Sequence, residues 1–316
     1  MRILSRRWPF LCVVVWGAAC GGAGADRDES LASIIGGTSD SSDEAVVALI
    51  GSTPAKGTFL CTGSVVSPHV ILTAAHCVPD GVTIKVYGGT NLIVAGVDDF
   101  LSVAATFAHP SFDADRPQRG YDLGAVVLRN PYAAASPLPM NRTALVPAEL
   151  GSTVRVVGYG VSNATTQQGA GQRRTAFVGI DTFDALLIGL GDATHNTCNG
   201  DSGGPAFLTL DGRDVIIGVT SFGPVPCNGV SHDTRLDTLI DFVDGVIAMV
   251  DPASAPPDAG MLADNPPPGL DPGAPARSDS GCSVARGGGA AEIALAFVLG
   301  LVRRRKLRAG KSVTSS

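Results

Sequence analysis

Short apolar runs dominate residues 34–250, and clusters of Gly, Pro, Asn and Asp separate them. The runs are rich in β-branched residues and are only about five to ten residues long, which is typical of strands rather than of helices. Many short strands between turn signals indicate an all-β sandwich or barrel. The strands are predicted at residues 45–50, 59–67, 83–87, 123–128, 153–158 and 215–222.

One segment, residues 235–250, has a helical pattern. Its apolar residues recur at intervals of three and four, which places them on one side of a helix. They are Leu236, Leu239, Ile240, Val243, Val246, Ile247 and Val250. This stripe predicts a helix that packs on the β core and has no catalytic role.

The first 19 residues are predicted to be an export signal. Three arginines precede a short apolar stretch at residues 8–16, and small residues follow it. The stretch is far shorter than the ~20 residues that cross a bilayer. The run AACGG at residues 18–22 resembles a bacterial lipoprotein cleavage site, in which Cys20 would be acylated.

The C-terminal region differs in composition from the body. Residues 251–280 are rich in Pro, Ala, Gly and Asp and predict a linker, because they offer little apolar surface to bury. Residues 281–316 combine Cys282, a short apolar run and an arginine cluster. They resemble the C-terminal sorting signals of myxobacterial surface proteins. The alternative is a marginal transmembrane tail oriented by its positive flank. Either Cys20 or this tail would attach the protein to a membrane or cell envelope.

The charge balance argues against one class of function, nucleic-acid binding. The chain of 316 residues has 23 Lys and Arg against 29 Asp and Glu, a formal net charge of −6. A nucleic-acid partner is therefore not expected, because such proteins neutralise phosphates with basic surfaces.

Four cysteines lie in the body, namely Cys61, Cys77, Cys198 and Cys227. In an exported protein four cysteines predict two disulfides, and counting alone permits three pairings. The local pairs 61–77 and 198–227 would close loops worth roughly 3 kcal/mol each. Zinc is the competing reading, but none of the four forms the closely spaced pair of a structural zinc site. We predict no metal, and no cofactor because no phosphate-binding loop is present.

Three separated motifs carry candidate chemistry. The run CNGDSGGP at residues 198–205 surrounds Ser202 with glycines, as a nucleophile on a tight turn requires. The run TAAHC at residues 73–77 contains His76, and Asp122 opens a predicted strand. The order His, Asp, Ser is one of several that produce the same catalytic triad geometry.

These motifs resemble those of the chymotrypsin/trypsin-like serine endopeptidases. The runs IIGG at 34–37, CTGS at 61–64, GYG at 158–160 and SFG at 221–223 extend the resemblance over residues 34–250. It implies two six-stranded antiparallel β-barrels with a C-terminal helix and a polypeptide substrate.

The chemistry of the groups assigns their roles. Serine is a weak nucleophile, so His76 would take its proton and Asp122 would orient the imidazole. The backbone N–H groups of Gly200 and Ser202 would form the oxyanion hole. By the resemblance, Asp201 would pair with the new amino group of Ile34.

That amino group would arise when an activating protease cuts after Ser33 and removes the propeptide, residues 20–33. Full activity would then coincide with release from an anchor at Cys20.

The resemblance also points to a substrate pocket floored by Asn196, with Thr197 beside it. Backbone groups of Ser221 and Gly223, with Phe222 between them, are expected to bind the substrate as a strand. With Asn196 as floor, strong selectivity for Lys or Arg is not expected. An aromatic or medium apolar preference is expected instead, unless Asp192 or Asp233 reaches the pocket and reverses it. Either Gly229 or Ser231 would form the wall opposite Gly223.

Two other functions fit parts of the sequence. A protease homologue without activity could serve as a surface binding module, but such proteins usually lose a triad residue. A serine esterase of the α/β-hydrolase type has its catalytic histidine after the serine in the chain, whereas the candidate His76 precedes Ser202.

Overall fold

The computed structural model describes residues 34–55 and 57–256. The predicted signal peptide, Cys20, the propeptide, most of the linker and the tail from residue 281 lie outside these ranges. The described residues form two antiparallel β-sheets and one α-helix.

The strands follow one another along the chain with short connections. They are β1 (Thr38–Ser39), β2 (Val46–Thr53), β3 (Gly57–Val65), β4 (Val70–Thr73), β5 (Thr83–Tyr87), β6 (Phe100–Leu101), β7 (Val103–Ala108), β8 (Gly124–Leu128), β9 (Thr153–Gly158), β10 (Arg174–Phe183), β11 (Leu187–Leu190), β12 (Pro205–Leu210), β13 (Arg213–Phe222) and β14 (Ser231–Arg235). The helix α1 covers Ile240–Val250. Short 3-10 turns lie at Ala75–Cys77, Leu92–Val94, Val97–Asp99, Pro117–Arg119, Pro147–Glu149 and Pro252–Ser254.

The first sheet has the order β6-β5-β2-β3-β4-β8-β7. Its two edge strands, β6 and β7, are separated in sequence only by Ser102. The sheet therefore curls until its edges are consecutive parts of one stretch of chain. This nearly closed barrel carries β4, and β4 leads directly to His76.

The second sheet has the order β1-β10-β11-β14-β13-β12-β9, and β9 also pairs with β10. The extra pairing closes a ring of six strands, to which the two-residue β1 adds at one edge. The predicted architecture of two antiparallel β-barrels and a C-terminal helix is confirmed, and the first barrel also has six strands when β6 and β7, divided only by Ser102, are counted as one. The closed barrel carries the turn with Ser202 and both walls of the predicted pocket.

The predicted helix begins too early. Residues 231–235 form β14, and α1 starts only at Ile240. Arg235 pairs with Gly218 on β13, and its guanidinium binds the carboxylate of Asp237. Sheet pairing and this ion pair hold Arg235 in the strand, although apolar spacing places it within a helix.

The apolar face of α1 packs as predicted. Val243, Val246 and Ile247 are buried in the cluster that fills the first barrel. The residue after the helix, Asp251, accepts hydrogen bonds from Ser67 and His69 near the start of β4. The C-terminal segment is thereby fixed to the first barrel.

Two disulfides reinforce the segments around the site. The structure joins Cys61 to Cys77 and Cys198 to Cys227, the two local pairings. Disulfides are typical of proteins that work outside the reducing cytosol, and the pair indicates an extracellular protein. No helix among the described residues has the length and apolar character to cross a membrane.

Candidate active site

His76 lies in the 3-10 turn Ala75–Cys77 directly after β4. The neighbouring Ala74 and Ala75 are small and fully buried, which lets the turn pack closely against the barrel. The disulfide from Cys77 to Cys61 ties the turn to β3. The imidazole is thus held by a rigid backbone while 30% of its side chain remains exposed.

Asp122 is fully buried and contacts His76 twice. One carboxylate oxygen accepts the backbone N–H of His76 at 2.9 Å, and the other lies 2.7 Å from His76 Nδ1. The hydroxyl of Ser221 donates a third hydrogen bond to this second oxygen. Burial raises the pKa of Asp122, but the hydrogen bonds and charge of His76 and the Ser221 hydroxyl lower it, and the net pKa is below that of an ordinary carboxyl. Asp122 is therefore set to remain ionised beside the imidazole.

Ser202 lies on the turn before β12, which must pass very close to the first barrel. Gly203 has φ +84°, and a Cβ there would lie 2.4 Å from the carbonyl oxygen of Thr62. Only glycine permits this approach. The turn therefore presents Ser202 toward the barrel that carries His76.

Thr62 fixes the turn from the first barrel. Its N–H donates to the carbonyl of Ser202 and its hydroxyl donates to the carbonyl of Gly200, both at 2.8 Å. Among the described residues, the N–H groups of Gly200 and Ser202 have no acceptor. The two carbonyls are thus bound at the rear of the turn, and two backbone donors remain for a ligand.

One cavity of about 380 Å³ has both His76 and Ser202 on its walls. Phe59, Leu60, Cys61, Asn199 and Gly200 complete its lining. The site thus brings residues from both barrels to a single opening.

Asp201, next to Ser202, is 1% exposed. Its carboxylate accepts the N–H groups of Gly160 and Cys198 at 2.7 and 2.9 Å. A Cβ at Gly160 would lie 2.5 Å from this carboxylate, so the glycine makes room for it. Burial raises the pKa of Asp201 to about 7, although the two N–H groups and the charge of Arg174 lower it. Within the described ranges, this carboxylate has no ion-pair partner.

Ile34 is fully buried, and the next residue pairs with the segment that leads to Ser202. The N–H of Ile35 donates to the carbonyl of Asn196, and the N–H of Asn196 donates back to Ile35. Ile34 also has φ +42°, a conformation that costs a β-branched residue on the order of 1 kcal/mol or more. The start of the described chain is therefore docked on the second barrel, with strain at its first residue.

A second cavity of about 230 Å³ opens beside Ser202. Its lining includes four of the five residues predicted to bind substrate, namely Thr197, Ser221, Phe222 and Gly223. The fifth, Asn196, is fully buried behind this lining, and its amide donates to the carbonyl of Gly229. Neither Gly229 nor Ser231, the two candidates for the wall opposite Gly223, is part of this lining, although Ser231 is a neighbour of Gly223, since a Cβ on Gly223 would lie 3.3 Å from Ser231 Cβ.

The two acids that could alter this pocket lie in different environments. Asp192 is exposed, and its carboxylate caps its own turn by accepting hydrogen bonds from Thr194 and His195. These bonds lower the pKa of Asp192 to about 2. Asp233 is fully buried on β14. Asp192 is therefore fully used by its turn, whereas Asp233 lies inside the barrel.

None of the other four histidines lines the cavity that His76 shares with Ser202. His69 binds Asp251, His109 stacks on Tyr121, His195 contacts Thr194, and His232 stacks on Phe222. Among the described residues, the one group of three potential metal ligands is Cys61, His76 and Cys77. The disulfide occupies both of its sulfur atoms, so this group does not offer thiolate ligands.

Two contributions to the site are not evident from the sequence. The sequence predicts a backbone role for Ser221, but its hydroxyl binds Asp122. Thr62 appears in the sequence only as part of a motif, but it binds both ends of the Ser202 turn. Both are contacts between residues about 100 or more positions apart, so no local pattern could have indicated them.

Comparison with known proteins agrees with this geometry. A family model described as Trypsin matches residues 34–243, more than half of the chain. The chain is 26% identical over 246 residues to chymotrypsin-like elastase family member 1 of Bos taurus, covering 71% of this chain and 92% of the bovine protein. It is 24% identical over 249 residues to the Homo sapiens protein of the same name, covering 71% of this chain and 95% of the human protein.

Proposed function

The chain belongs to the trypsin family and is a serine endopeptidase, and from this premise we propose that His76, Asp122 and Ser202 are its catalytic triad. The observation that carries the proposal is the position of His76. Its Nδ1 lies 2.7 Å from Asp122, while its ring shares a cavity with Ser202. The substrate is a polypeptide.

The proposed reaction proceeds through an acyl-enzyme. The Ser202 hydroxyl oxygen attacks the peptide carbonyl, and His76 Nε2 accepts the hydroxyl proton. The resulting imidazolium is stabilised by ionised Asp122. It then protonates the leaving amine as the C–N bond breaks. A water molecule, deprotonated by His76, attacks the ester carbonyl and regenerates the Ser202 hydroxyl.

The N–H groups of Gly200 and Ser202 are the proposed oxyanion hole. Support comes from the two bonds of Thr62, which bind the carbonyls of the same residues and leave their N–H groups without an acceptor in the described chain. Each donor of this type is worth about 3 to 4 kcal/mol in the transition state.

Activation is proposed to occur by cleavage before Ile34. Among the described residues the buried Asp201 carboxylate has no ion-pair partner, and the new amino group of Ile34 would supply one. Two facts favour the cut: Ile35 is already paired with Asn196, and the strained φ of Ile34 no longer exists once its preceding peptide bond is broken. The cut follows Ser33, which is neither Lys nor Arg, and a separate activating protease is proposed to make it.

Attachment to a bacterial cell envelope is a further part of the proposal. It rests on the sequence of residues 18–22 and 281–316, which lie outside the described residues. If Cys20 carries lipid, cleavage before Ile34 both activates the enzyme and frees it from that anchor. Any later retention would then depend on Cys282.

Labelling with an organophosphonate tests the triad. The cut protein should be labelled at Ser202, and both Ser202→Ala and His76→Ala should abolish labelling. His69→Ala is the matched control, because His69 also binds an aspartate through Nδ1 but does not line the cavity. Failure of correctly cut protein to react would favour a binding module without activity. Mass spectrometry should find Ile34 at the amino terminus of active enzyme, and full activity with residues 20–33 attached would contradict the activation scheme.

A further inference from the structure

Tyr121, the residue directly before Asp122, has an unusual backbone conformation. Its φ is +64°, in a region that a bulky side chain rarely adopts, because its Cβ then crowds the backbone. Such a conformation persists only where surrounding contacts hold it, and outliers of this kind are frequent at functional sites. The contacts that hold Tyr121 therefore bear on the residue beside it, the buried Asp122.

Backbone hydrogen bonds tie the segment around Asp122 to its surroundings. The N–H of Leu123 donates to the carbonyl of Tyr121 at 2.8 Å, so a short-range bond spans Asp122. The carbonyl of Leu123 in turn accepts the N–H of His109, also at 2.8 Å. Because Asp122 is enclosed by these bonds, a change of torsion at Tyr121 would turn the direction in which the Asp122 side chain leaves the backbone.

Three aromatic rings meet beside this segment. The His109 ring stacks on Tyr121, with centroids 5.2 Å apart and planes inclined by 29°. It also contacts Phe242 of α1, with centroids 5.2 Å apart and planes inclined by 56°. Tyr121 and Phe242 are partly buried against the cluster that fills the first barrel. Stacked and tilted geometries at this separation are favourable for aromatic pairs, so the His109 ring links Tyr121 to α1.

His109 enters this stack as a neutral ring. Burial lowers the pKa of His109, because a charged imidazolium loses hydration in a partly buried position. Its Nδ1 accepts the N–H of Ser111 at 3.1 Å, and in a neutral imidazole the other nitrogen then carries the proton. The ring is therefore held at one edge and stacks on Tyr121 as a flat aromatic group.

We propose that Tyr121 is a positioning residue, which the stack with His109 holds in place so that it aims the Asp122 carboxylate at the imidazole of the triad. The inference rests on the proposed function, because that function makes Asp122 a member of the triad. Neither Tyr121 nor His109 belongs to the described lining of the two cavities at Ser202. Both therefore act through Asp122 rather than on the substrate.

Asp122 depends on accurate placement because it must meet two donor atoms at once. One carboxylate oxygen lies 2.9 Å from the backbone nitrogen of His76, and the other lies 2.7 Å from Nδ1 of the same residue. A turn of the backbone at Asp122 moves both oxygens together, so one bond cannot adjust without the other. Displacement of a catalytic group by about 1 Å, caused by a change outside the chemical centre, can cost ~100-fold in rate.

Steady-state kinetics of the cut enzyme on one peptide substrate test the inference. Tyr121→Ala and His109→Ala should each lower kcat by about 10- to 100-fold and change KM by less than about twofold, since the substrate contacts are retained. Tyr121→Phe keeps the ring, and its kcat should lie within about twofold of the parent value. The double alanine variant should lose little more than either single variant, because both substitutions remove the same contact.

Phe100→Ala is the matched control, because it removes another aromatic pair of the first barrel, the one with Tyr87. It should lower the temperature of thermal unfolding and leave kcat unchanged. Parent kcat in Tyr121→Ala, or a loss in Tyr121→Phe as large as that in Tyr121→Ala, would overturn the inference. Losses that multiply in the double alanine variant would overturn it as well.

Proton NMR of the cut Ser202→Ala protein provides a second readout that does not depend on catalysis. The proton between His76 Nδ1 and Asp122 should resonate at low field, because the hydrogen bond is short and charge-assisted. Addition of Tyr121→Ala should move this resonance to higher field or broaden it, whereas Tyr121→Phe should leave it in place.

The two readouts separate the inference from the proposed function. If no peptide is hydrolysed but the resonance depends on Tyr121, the proposed function fails and the positioning of Asp122 stands. If peptides are hydrolysed but neither kcat nor the resonance depends on Tyr121, only the inference fails. Should Tyr121→Ala not fold, His109→Ala makes the same comparison from the other ring of the stack.

Discussion

Ser221 and Asp122 are joined by a hydrogen bond from the serine hydroxyl to the carboxylate oxygen that faces His76 Nδ1. Both side chains are buried, so no water competes with this bond. It stabilises the ionised carboxylate and fixes its orientation relative to the imidazole. Ser221 is therefore a positioning residue of the site as well as part of the pocket wall.

Ser221→Ala should lower kcat by about 10-fold, because one hydrogen bond to a charged group contributes roughly 1.5 to 3 kcal/mol. KM should change little, because the backbone that faces the substrate is retained. Steady-state kinetics on a single peptide substrate measure both. Ser64→Ala is the control: the Ser64 hydroxyl is also buried but has no hydrogen-bond partner among the described residues. Equal effects of the two variants would argue against the positioning role.

Asp122→Asn should lower kcat by about 10⁴ and leave the fold intact, because the amide favours the wrong imidazole tautomer. A matched control exists in Asp251. Its carboxylate accepts the same set of donors, namely a histidine Nδ1, the N–H of that histidine and a serine hydroxyl. Asp251→Asn should cost stability in thermal unfolding but change kcat by less than about twofold, since His69 does not line the cavity. A large loss of kcat in Asp251→Asn would show that such pairs act through the fold.

Much of the barrel architecture could be predicted from local pattern. Residues 83–87 and 153–158 match β5 and β9 at both ends, because apolar β-branched runs there are bounded by turn residues. The prediction missed eight of the fourteen strands, among them β10 and β14, whose polar residues form strands through pairing on both sides. The predicted helix also begins five residues before α1 does, since Arg235 pairs as part of β14.

The candidate site could likewise be predicted only in part. Glycine spacing and residue type indicate His76, Asp122 and Ser202, because these groups need particular neighbours in sequence. The contacts of Thr62 and Ser221 depend on how distant segments of the chain are placed beside one another. The residue pattern along the chain does not show which distant segments lie beside one another, so these contacts could be found only in the structure.

Asp40→Asn should destabilise the protein by about 3 to 5 kcal/mol. Arg173 is 1% exposed, and its Nε donates to Asp40 at 2.9 Å, so loss of the partner leaves a buried charge uncompensated. Chemical denaturation measures the change. Asp113→Asn, which breaks an exposed pair with Arg116, should have no measurable effect.

Asp40→Asn should also reduce activation, because Asp40 immediately follows β1 and the segment that begins at Ile34. The fraction of cut enzyme that a phosphonate can titrate reports this effect. Stability and titratable fraction that both remain at parent values would contradict the role of the ion pair.

The uncut chain should lose stability as pH rises from about 4 to 7. The pKa of Asp201 is about 7 in the folded chain, above the ordinary value of 3.8, so the folded state holds its proton more tightly than the unfolded state does. The contribution is fully present below pH 3.8 and is lost as pH approaches 7. It amounts to at most about 4 kcal/mol, at 1.36 kcal/mol for each pH unit. Asp233, with a pKa of about 8, adds a similar fall that extends to pH 8.

Thermal unfolding of the uncut Ser202→Ala protein across this pH range tests the prediction. Adding Asp201→Asn should remove the part of the fall that ends near pH 7, and cleavage before Ile34 should remove it as well by supplying a cation. Asp192→Asn should leave the fall in place, because the pKa of Asp192 is lowered to about 2 and its contribution is lost only as pH falls toward that value. If the cut and uncut proteins show the same fall, the amino group of Ile34 does not pair with Asp201, and the activation scheme must be abandoned while the triad remains open to its own tests.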